Sequence, residues 1–80
     1  MRCFGVKFKY TDLYRTLGLS IAYYRKSKAF TQEMLAEKVN VDQTHISKIE
    51  GAAVGISLDL LFEIAEALDI PPSKLLEFRE

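Results

Sequence analysis

The sequence predicts an all-α domain built as a bundle of five helices, and three observations support that fold class. Apolar residues recur three and four positions apart through most of residues 11–80, which is the spacing of helices that bury one face. Residues suited to capping precede several of these segments, and Pro71-Pro72 interrupts the last one. With 80 residues, of which 49% are hydrophobic, the chain can form one small domain around a single core.

Helix one is predicted to begin at Thr11 or Asp12, either of which can cap it, and to end near Ser27. The spacing predicts an inward face made of Leu13, Leu17, Ile21 and Tyr24. Helix two is predicted to begin after Thr31, which suits the cap position, and to end near Val39.

Residues 32–50 are predicted to form two short helices joined by a tight turn. Asn40 suits the left-handed backbone at the end of helix two, and Asp42 offers an oxygen to cap helix three, which covers residues 43–50. The inward positions are Leu35, Ala36, Val39, Ile46 and Ile49. The side chains that remain outward on helix three form hydrogen bonds, and they are Gln43, Thr44, His45, Ser47 and Lys48.

The remaining two helices follow a loop at residues 51–56. Ser57 is predicted to cap helix four, whose buried stripe is Leu58, Leu61, Ile64, Ala65 and Leu68. Pro72 or Ser73 then opens a short last helix that carries Leu75, Leu76 and Phe78.

Residues 1–10 differ in pattern from residues 11–80, so we treat them as a separate arm or dimerisation strand. Phe4, Val6, Phe8 and Tyr10 alternate with other residues, which predicts a short β-strand. A single strand leaves its backbone groups unpaired, so our hypothesis is that it pairs with the same strand of a second subunit. An arm packed on its own domain or disordered, and an arm that contacts DNA, are the alternatives. The last helix is a competing dimer surface.

Composition excludes several classes of protein. The chain has no apolar run of about 18 residues, so no membrane span is expected. No small-residue cleavage site follows the N-terminal segment, so a secretory signal is not expected and the cytoplasm is the predicted compartment. The single cysteine, Cys3, excludes an internal disulfide framework and the usual zinc clusters, and no cofactor is predicted.

Charge is distributed unevenly along a chain whose formal net charge is zero. Residues 1–28 contain seven basic residues against one acid, whereas residues 29–80 contain four basic residues against ten acids. A basic first third could contact phosphates while an acidic remainder faces solvent, or the segregation could have no functional meaning. Overall neutrality predicts modest non-specific DNA affinity for a monomer.

Four motifs follow one another along the chain. They are Leu17-Gly18-x-x-Ile21-x-x-Tyr24-Arg25, Thr31-Gln32-x-x-Leu35-Ala36, Val41-Asp42-x-x-x-Ile46-Ser47-x-Ile49-Glu50 and Leu58-x-x-Leu61-x-x-Ile64-Ala65-x-Ala67-Leu68. Together they resemble the motifs of the xenobiotic-response-element (XRE) family, which includes the phage lambda-type repressors and Cro. The likeness covers roughly residues 13–76. It implies a five-helix domain that binds operator DNA, usually as a dimer, with helix three in the major groove.

The resemblance also implies individual roles. Gln43 and Thr44 match positions that face base edges, and Lys48 lies one turn further along the same helix. Gln32 matches a glutamine that contacts a phosphate and braces helix three, the recognition helix that enters the major groove. The further candidates for phosphate contact are His45, Ser47, Lys26 and Lys28. For each of these residues the alternative is an ordinary solvated side chain.

Arg25 and Glu50 match a structural ion pair that links helix one to the end of helix three. The sequence departs from the family in two places beside the N-terminal arm. Asn40 occupies a turn position usually held by glycine, and Ala52 occupies the usual glycine position after helix three. The loop from Gly51 to Ile56 also lacks the usual basic side chains, so it would offer phosphates only backbone amides, or pack inward, or meet a protein partner.

The predicted function is sequence-specific binding of double-stranded DNA in transcriptional control, as a repressor that binds a roughly palindromic operator as a homodimer. The alternative is a protein-interaction module, such as an antitoxin, with secondary or weak DNA binding. The neutral charge and the apolar loop favour that alternative, whereas Gln32, Gln43, Thr44 and Lys48 disfavour it. An enzyme is not predicted, because the single histidine has no acid or nucleophile at a catalytic spacing.

Overall fold

The computed structural model describes residues 10–77, and it contains five helices. They are α1 (Thr11–Ser27), α2 (Gln32–Lys38), α3 (Gln43–Glu50), α4 (Leu58–Ala67) and α5 (Pro72–Leu75). No strand occurs within residues 10–77, and the all-α, five-helix prediction is confirmed. The strand predicted for residues 1–10 lies, except for Tyr10, outside the described residues, as does Phe78. None of the five helices is long and apolar enough to cross a membrane.

The predicted caps of α2 and α4 are confirmed. The Thr31 hydroxyl accepts a hydrogen bond from the Met34 N–H at 3.0 Å, and the Ser57 hydroxyl accepts one from the Leu60 N–H at 3.1 Å. Each bond satisfies an N–H group that the helix itself leaves unpaired. These two caps fix where α2 and α4 begin.

The predicted caps of α1 and α3 are wrong. Tyr10, rather than Thr11 or Asp12, is the N-cap of α1, because its carbonyl already accepts the Tyr14 N–H at 2.9 Å. Asp42 occupies the N-cap position of α3, but its side chain makes no capping bond. The His45 N–H that this side chain would cap donates instead to the backbone carbonyl of Asp42, at 3.0 Å.

Helices α1 to α4 end in the same way, with one residue in the left-handed conformation. These residues are Ala29, Asn40, Ala52 and Asp69, with φ of 60–61°. In each case the next N–H donates to a carbonyl five residues earlier, as when Phe30 donates to Arg25 at 3.1 Å, which defines a Schellman motif. The left-handed Asn40 confirms the predicted end of α2. Glycine, the usual residue here, is used at none of these four ends.

The core lies between the inward faces of all five helices. It consists of Leu17, Ile21, Leu35, Ala36, Val39, Ile46, Ile49, Leu60, Leu61, Ile64, Ala65, Leu68 and Leu75. Two predicted core residues are exposed instead, Leu13 to 45% and Leu58 to 65%. Both lie in the first turn of their helices, ahead of the part that packs, and Leu60 takes the buried place in α4.

Helix α3 packs against both α1 and α2, so its direction is set by two contacts. A Cβ added to the buried Gly18 of α1 would lie only 2.7 Å from the carbonyl oxygen of Ile49. On the other side, Ala36 is almost fully buried in α2. Small residues therefore allow the backbones to approach, and the outer face of α3 is held in one orientation.

Candidate nucleic-acid interface

The outer face of α3 carries the side chains that were predicted to read DNA. Gln43, Thr44, Ser47 and Lys48 are exposed, and His45 is half-buried. Their positions follow from burial of Ile46 and Ile49, which turn the opposite face of the helix into the core. Eight residues make a helix about 12 Å long. An α-helix with its side chains is about 10–12 Å across, so α3 can enter the major groove of B-DNA, which is about 12 Å wide.

Gln43 and Gln32 are in direct contact between the first turns of α3 and α2. The Gln43 Nε2 donates to Gln32 Oε1 at 3.3 Å, and the Gln32 Nε2 donates to Glu50 Oε1 at 2.9 Å. An exposed glutamine normally samples many rotamers, and these bonds restrict that freedom before any ligand binds. The Gln43 side chain is therefore held by a residue on the neighbouring helix.

Arg25 lies at the base of this arrangement. Its Nε donates to Glu50 Oε2 at 2.7 Å and its Nη2 donates to Glu50 Oε1 at 3.2 Å. Its Nη1 donates to the Phe30 carbonyl at 2.7 Å. Arg25 is only 7% exposed, so this guanidinium joins α1 to the end of α3 and does not face a phosphate. The bidentate geometry suits arginine and would not be reproduced by lysine.

Within residues 10–28, where the structure is described, fewer basic side chains can face DNA than the count of charges suggests. Lys26 and Lys28 are exposed at the end of α1, immediately before the turn to α2. Arg15 is also exposed, but its Nη1 lies 3.3 Å from an Asp12 carboxylate oxygen within the same helix. With Arg25 buried, the exposed lysines are the better candidates for phosphate contact.

In the loop after α3, two of the backbone N–H groups that could have bound phosphate are already hydrogen-bonded. The Ala52 N–H donates to the Ile49 carbonyl at 3.1 Å, and the Ala53 N–H donates to the Lys48 carbonyl at 2.8 Å. These two amides therefore complete the helix end. Further along, Val54 is exposed while Ile56 packs against the core. The loop thus divides between an inward and an outward apolar residue.

No metal site is found within residues 10–77, where no group of three His, Cys, Asp or Glu side chains converges. Two features of the interface were not predicted from the sequence. One is the contact between Gly18 and the end of α3, for which the signal was a glycine inside a strong helical pattern. The other is the direct bond between Gln43 and Gln32, which no spacing along one helix could reveal.

A family model described as "Helix-turn-helix" matches residues 21–75, which is more than half of the chain and includes the end of α1 and all of α2 and α3. The chain belongs to this helix-turn-helix family. That match agrees with the resemblance to the XRE family. The matched residues also include the Arg25–Glu50 pair, the glutamines Gln32 and Gln43, and the outer face of α3.

Known members of the family include regulators of similar size. Control protein C.BamHI from Bacillus amyloliquefaciens is 37% identical over 62 residues, which is 76% of each chain. The restriction-modification controller protein C.AhdI from Aeromonas hydrophila has a TM-score of 0.76 and 29% identity, over 78% of this chain and 94% of that one. The clp gene regulator ClgR from Corynebacterium glutamicum has a TM-score of 0.78 and 28% identity, over 80% and 68%.

These comparisons establish the general function of this helix-turn-helix protein. It is a DNA-binding transcription regulator, and it is not an enzyme. The exposed, hydrogen-bonding face of α3 is therefore the candidate surface for DNA contact.

Proposed function

We propose that this protein is a repressor that binds a roughly palindromic operator as a homodimer, with α3 of each subunit in the major groove. The observation that carries the proposal is the bond between Gln43 and Gln32, which holds an exposed glutamine at the start of α3 in one orientation. A glutamine amide can pair bidentately with the N6 and N7 atoms of adenine. Holding it beforehand lowers the entropy lost on binding.

The other DNA contacts that we propose involve side chains that the fold leaves accessible to a bound duplex. Thr44 can place its methyl group against a thymine methyl, and Lys48 can reach a guanine edge or a phosphate from the next turn. Gln32 has a second Nε2 hydrogen, besides the one donated to Glu50, that can reach a phosphate. The other phosphate contacts in the proposal come from His45, Ser47, Lys26 and Lys28.

A homodimer is part of the proposal because the formal net charge of one copy is zero. Two recognition helices about 34 Å apart would enter successive major grooves on one side of the duplex. Each subunit then contributes its own phosphate contacts, which raises affinity without a strongly basic chain. The dimer surface would be the N-terminal strand or the C-terminal helix. A cytoplasmic location belongs to the same proposal, because the DNA is there.

The biological role is proposed from two of the relatives. C.BamHI is a control protein and C.AhdI is a restriction-modification controller, and this chain is similar to both over about three quarters of its length. We propose a comparable controller role, in which the protein blocks polymerase from a bound operator. The exposed Val54 in the loop after α3 supports a second candidate, a module that also binds a protein partner.

Selection from random duplexes at low salt, followed by sequencing, tests the proposal. The wild type should enrich a sequence with two related half-sites, about one helical turn apart. The double variant Gln43→Ala/Thr44→Ala should lose part of that sequence, whereas Glu63→Ala, on the exposed surface of α4, should retain it. Enrichment of no sequence by the wild type, or of the same sequence by the double variant, would contradict the proposal.

A further inference from the structure

The side-chain hydrogen bonds that lead to Gln43 begin at a group that can only accept. Both carboxylate oxygens of Glu50 receive N–H groups of Arg25, at 2.7 and 3.2 Å. An arginine guanidinium is always charged and only donates, and a carboxylate paired with it only accepts. Any further side chain that bonds to Glu50 must therefore present a donor.

Gln32 is the side chain that meets this requirement, and meeting it fixes the orientation of its amide. Its Nε2 must face Glu50, to which it donates at 2.9 Å. Its Oε1 is then the end left for Gln43, and it accepts the Gln43 Nε2 at 3.3 Å. An amide rotated by 180° would place two oxygens together at Glu50, which is repulsive. The direction of both amide hydrogen bonds is therefore set by the carboxylate of Glu50, which accepts at the buried end of the series.

The same direction determines what Gln43 offers to a base. One Nε2 hydrogen is used on Gln32, so one N–H donor and the Oε1 acceptor remain free. That pair matches adenine, which presents the N7 acceptor and the N6 donor in the major groove. Reversed amides would engage Gln43 Oε1 and free both N–H groups. Two donors match guanine, which presents two acceptors, N7 and O6.

We propose that Glu50 is a specificity-determining positioning residue, which makes Gln43 prefer adenine over guanine by orienting Gln32 and then Gln43. The inference rests on the proposed function, because it needs Gln43 to face a base. Glu50 and Arg25 cannot contact that base themselves, since their side chains are only 8% and 9% exposed. The effect reaches the DNA through two amides, and Arg25 contributes by donating to both carboxylate oxygens of Glu50.

The test begins by finding the base pair that depends on Gln43. Duplex selection with the full-length wild type and with Gln43→Ala identifies this position as the one whose preference is lost. The variant Glu50→Gln keeps the size of the side chain but can donate to Gln32 Oε1, which allows both amides to reverse. We expect the adenine-over-guanine affinity ratio there to fall about tenfold, with the preferences at other positions unchanged.

A second variant keeps the inference testable if Glu50→Gln fails to fold. Gln32→Met interrupts the bonds while leaving the pair between Arg25 and Glu50 in place, and it should lower the same ratio at the same position. Glu63→Gln, on the exposed surface of α4, is the matched control for loss of one negative charge and should leave the ratio unchanged. If Glu50 served only as one half of a structural ion pair, Glu50→Gln would weaken binding to all duplexes alike and would leave the adenine-over-guanine ratio unchanged.

The outcomes separate this inference from the proposed function. A wild type that enriches no sequence would overturn both. A wild type that enriches an operator whose every position tolerates Gln43→Ala would overturn the inference alone. So would an unchanged adenine-over-guanine ratio in Gln32→Met, whether or not Glu50→Gln folds. A folded Glu50→Gln with an unchanged ratio would overturn it as well. A reduced ratio in both Glu50→Gln and Gln32→Met, confined to the Gln43-dependent position, would support it.

Discussion

Gly18 of α1 lies against the backbone carbonyl of Glu50 so closely that no Cβ fits between the two helices. The carbonyl oxygen of Ile49 would be only 2.7 Å from that Cβ, and backbone atoms cannot move aside as a flexible side chain can. The residue that ends α3 is thus held by α1 twice. Its backbone touches Gly18, and its side chain receives the bidentate bonds of Arg25.

Gly18→Ala is expected to lower the free energy of unfolding by about 1–3 kcal/mol, the usual cost of overpacking. The sign is informative, because alanine in a helix interior is otherwise about 1 kcal/mol better than glycine. Urea unfolding followed by circular dichroism measures the change. Gly51→Ala is the matched control, since its Cβ would lie 3.4 Å from the nearest non-adjacent atom, the Ser47 carbonyl oxygen, and its φ is −90°. Equal stability of both variants would contradict the close packing.

Removing one partner of the buried pair should be strongly destabilising. Arg25→Leu strands the Glu50 carboxylate in the interior, and we expect a loss of about 3–5 kcal/mol in the free energy of unfolding. The double variant Arg25→Leu/Glu50→Leu strands no charge and should lose much less than the sum of the two single variants. Denaturant unfolding of all four proteins gives this double-mutant cycle. Additive losses would show that the two side chains are not coupled.

Ala52→Gly is expected to stabilise the protein. Ala52 has φ of 61°, a conformation that costs an L-residue about 1–2 kcal/mol and that glycine adopts freely. After the larger chain entropy of unfolded glycine is subtracted, a gain of about 1 kcal/mol remains. Such a gain corresponds to a rise of roughly 4–8 °C in Tm for a domain of this size. Ala22→Gly, inside α1, should instead lower Tm by a similar amount.

Lys26 and Lys28 are expected to raise DNA affinity without contributing to sequence preference. Replacing either by alanine should weaken binding to all duplexes alike and should reduce the slope of log K against log salt by about 0.9. Lys38→Ala, at the end of α2 in a groove shared with Glu63 and Glu66 of α4, is the control and should leave the slope unchanged. Titrations at several salt concentrations measure it. A slope that is unaltered in the Lys26 and Lys28 variants would place both side chains away from the phosphates.

Deletion of residues 1–9 tests the proposed dimerisation strand. The truncated chain keeps Tyr10, whose carbonyl accepts the Tyr14 N–H at the start of α1, so the helix should remain intact. If the strand builds the dimer, the molar mass measured in solution by light scattering should fall to that of one subunit. A dimer that survives the deletion would exclude the strand and favour the C-terminal helix.

Most of the fold followed from patterns within single helices. Capping residues such as Thr31 and Ser57 and the three-and-four spacing of apolar residues place the helices to within a residue or two. The errors lie at helix starts. Leu13 and Leu58 fit the periodicity of α1 and α4, yet both are exposed, because periodicity says which side of a helix is apolar and not how far the neighbouring helix extends.

The interface is divided between sequence and tertiary structure in the same way. The sequence by itself determined five helices, the exposed polar face of α3 and, through family motifs, a DNA-binding regulator. Only the tertiary structure decided that Gly18 sets the approach of α1 to α3, and that Glu50, Gln32 and Gln43 form one directed series of hydrogen bonds. Helical spacing is a property of one segment of chain. Contacts among residues 18, 32, 43 and 50 depend on how three helices cross, which packing of the whole core determines.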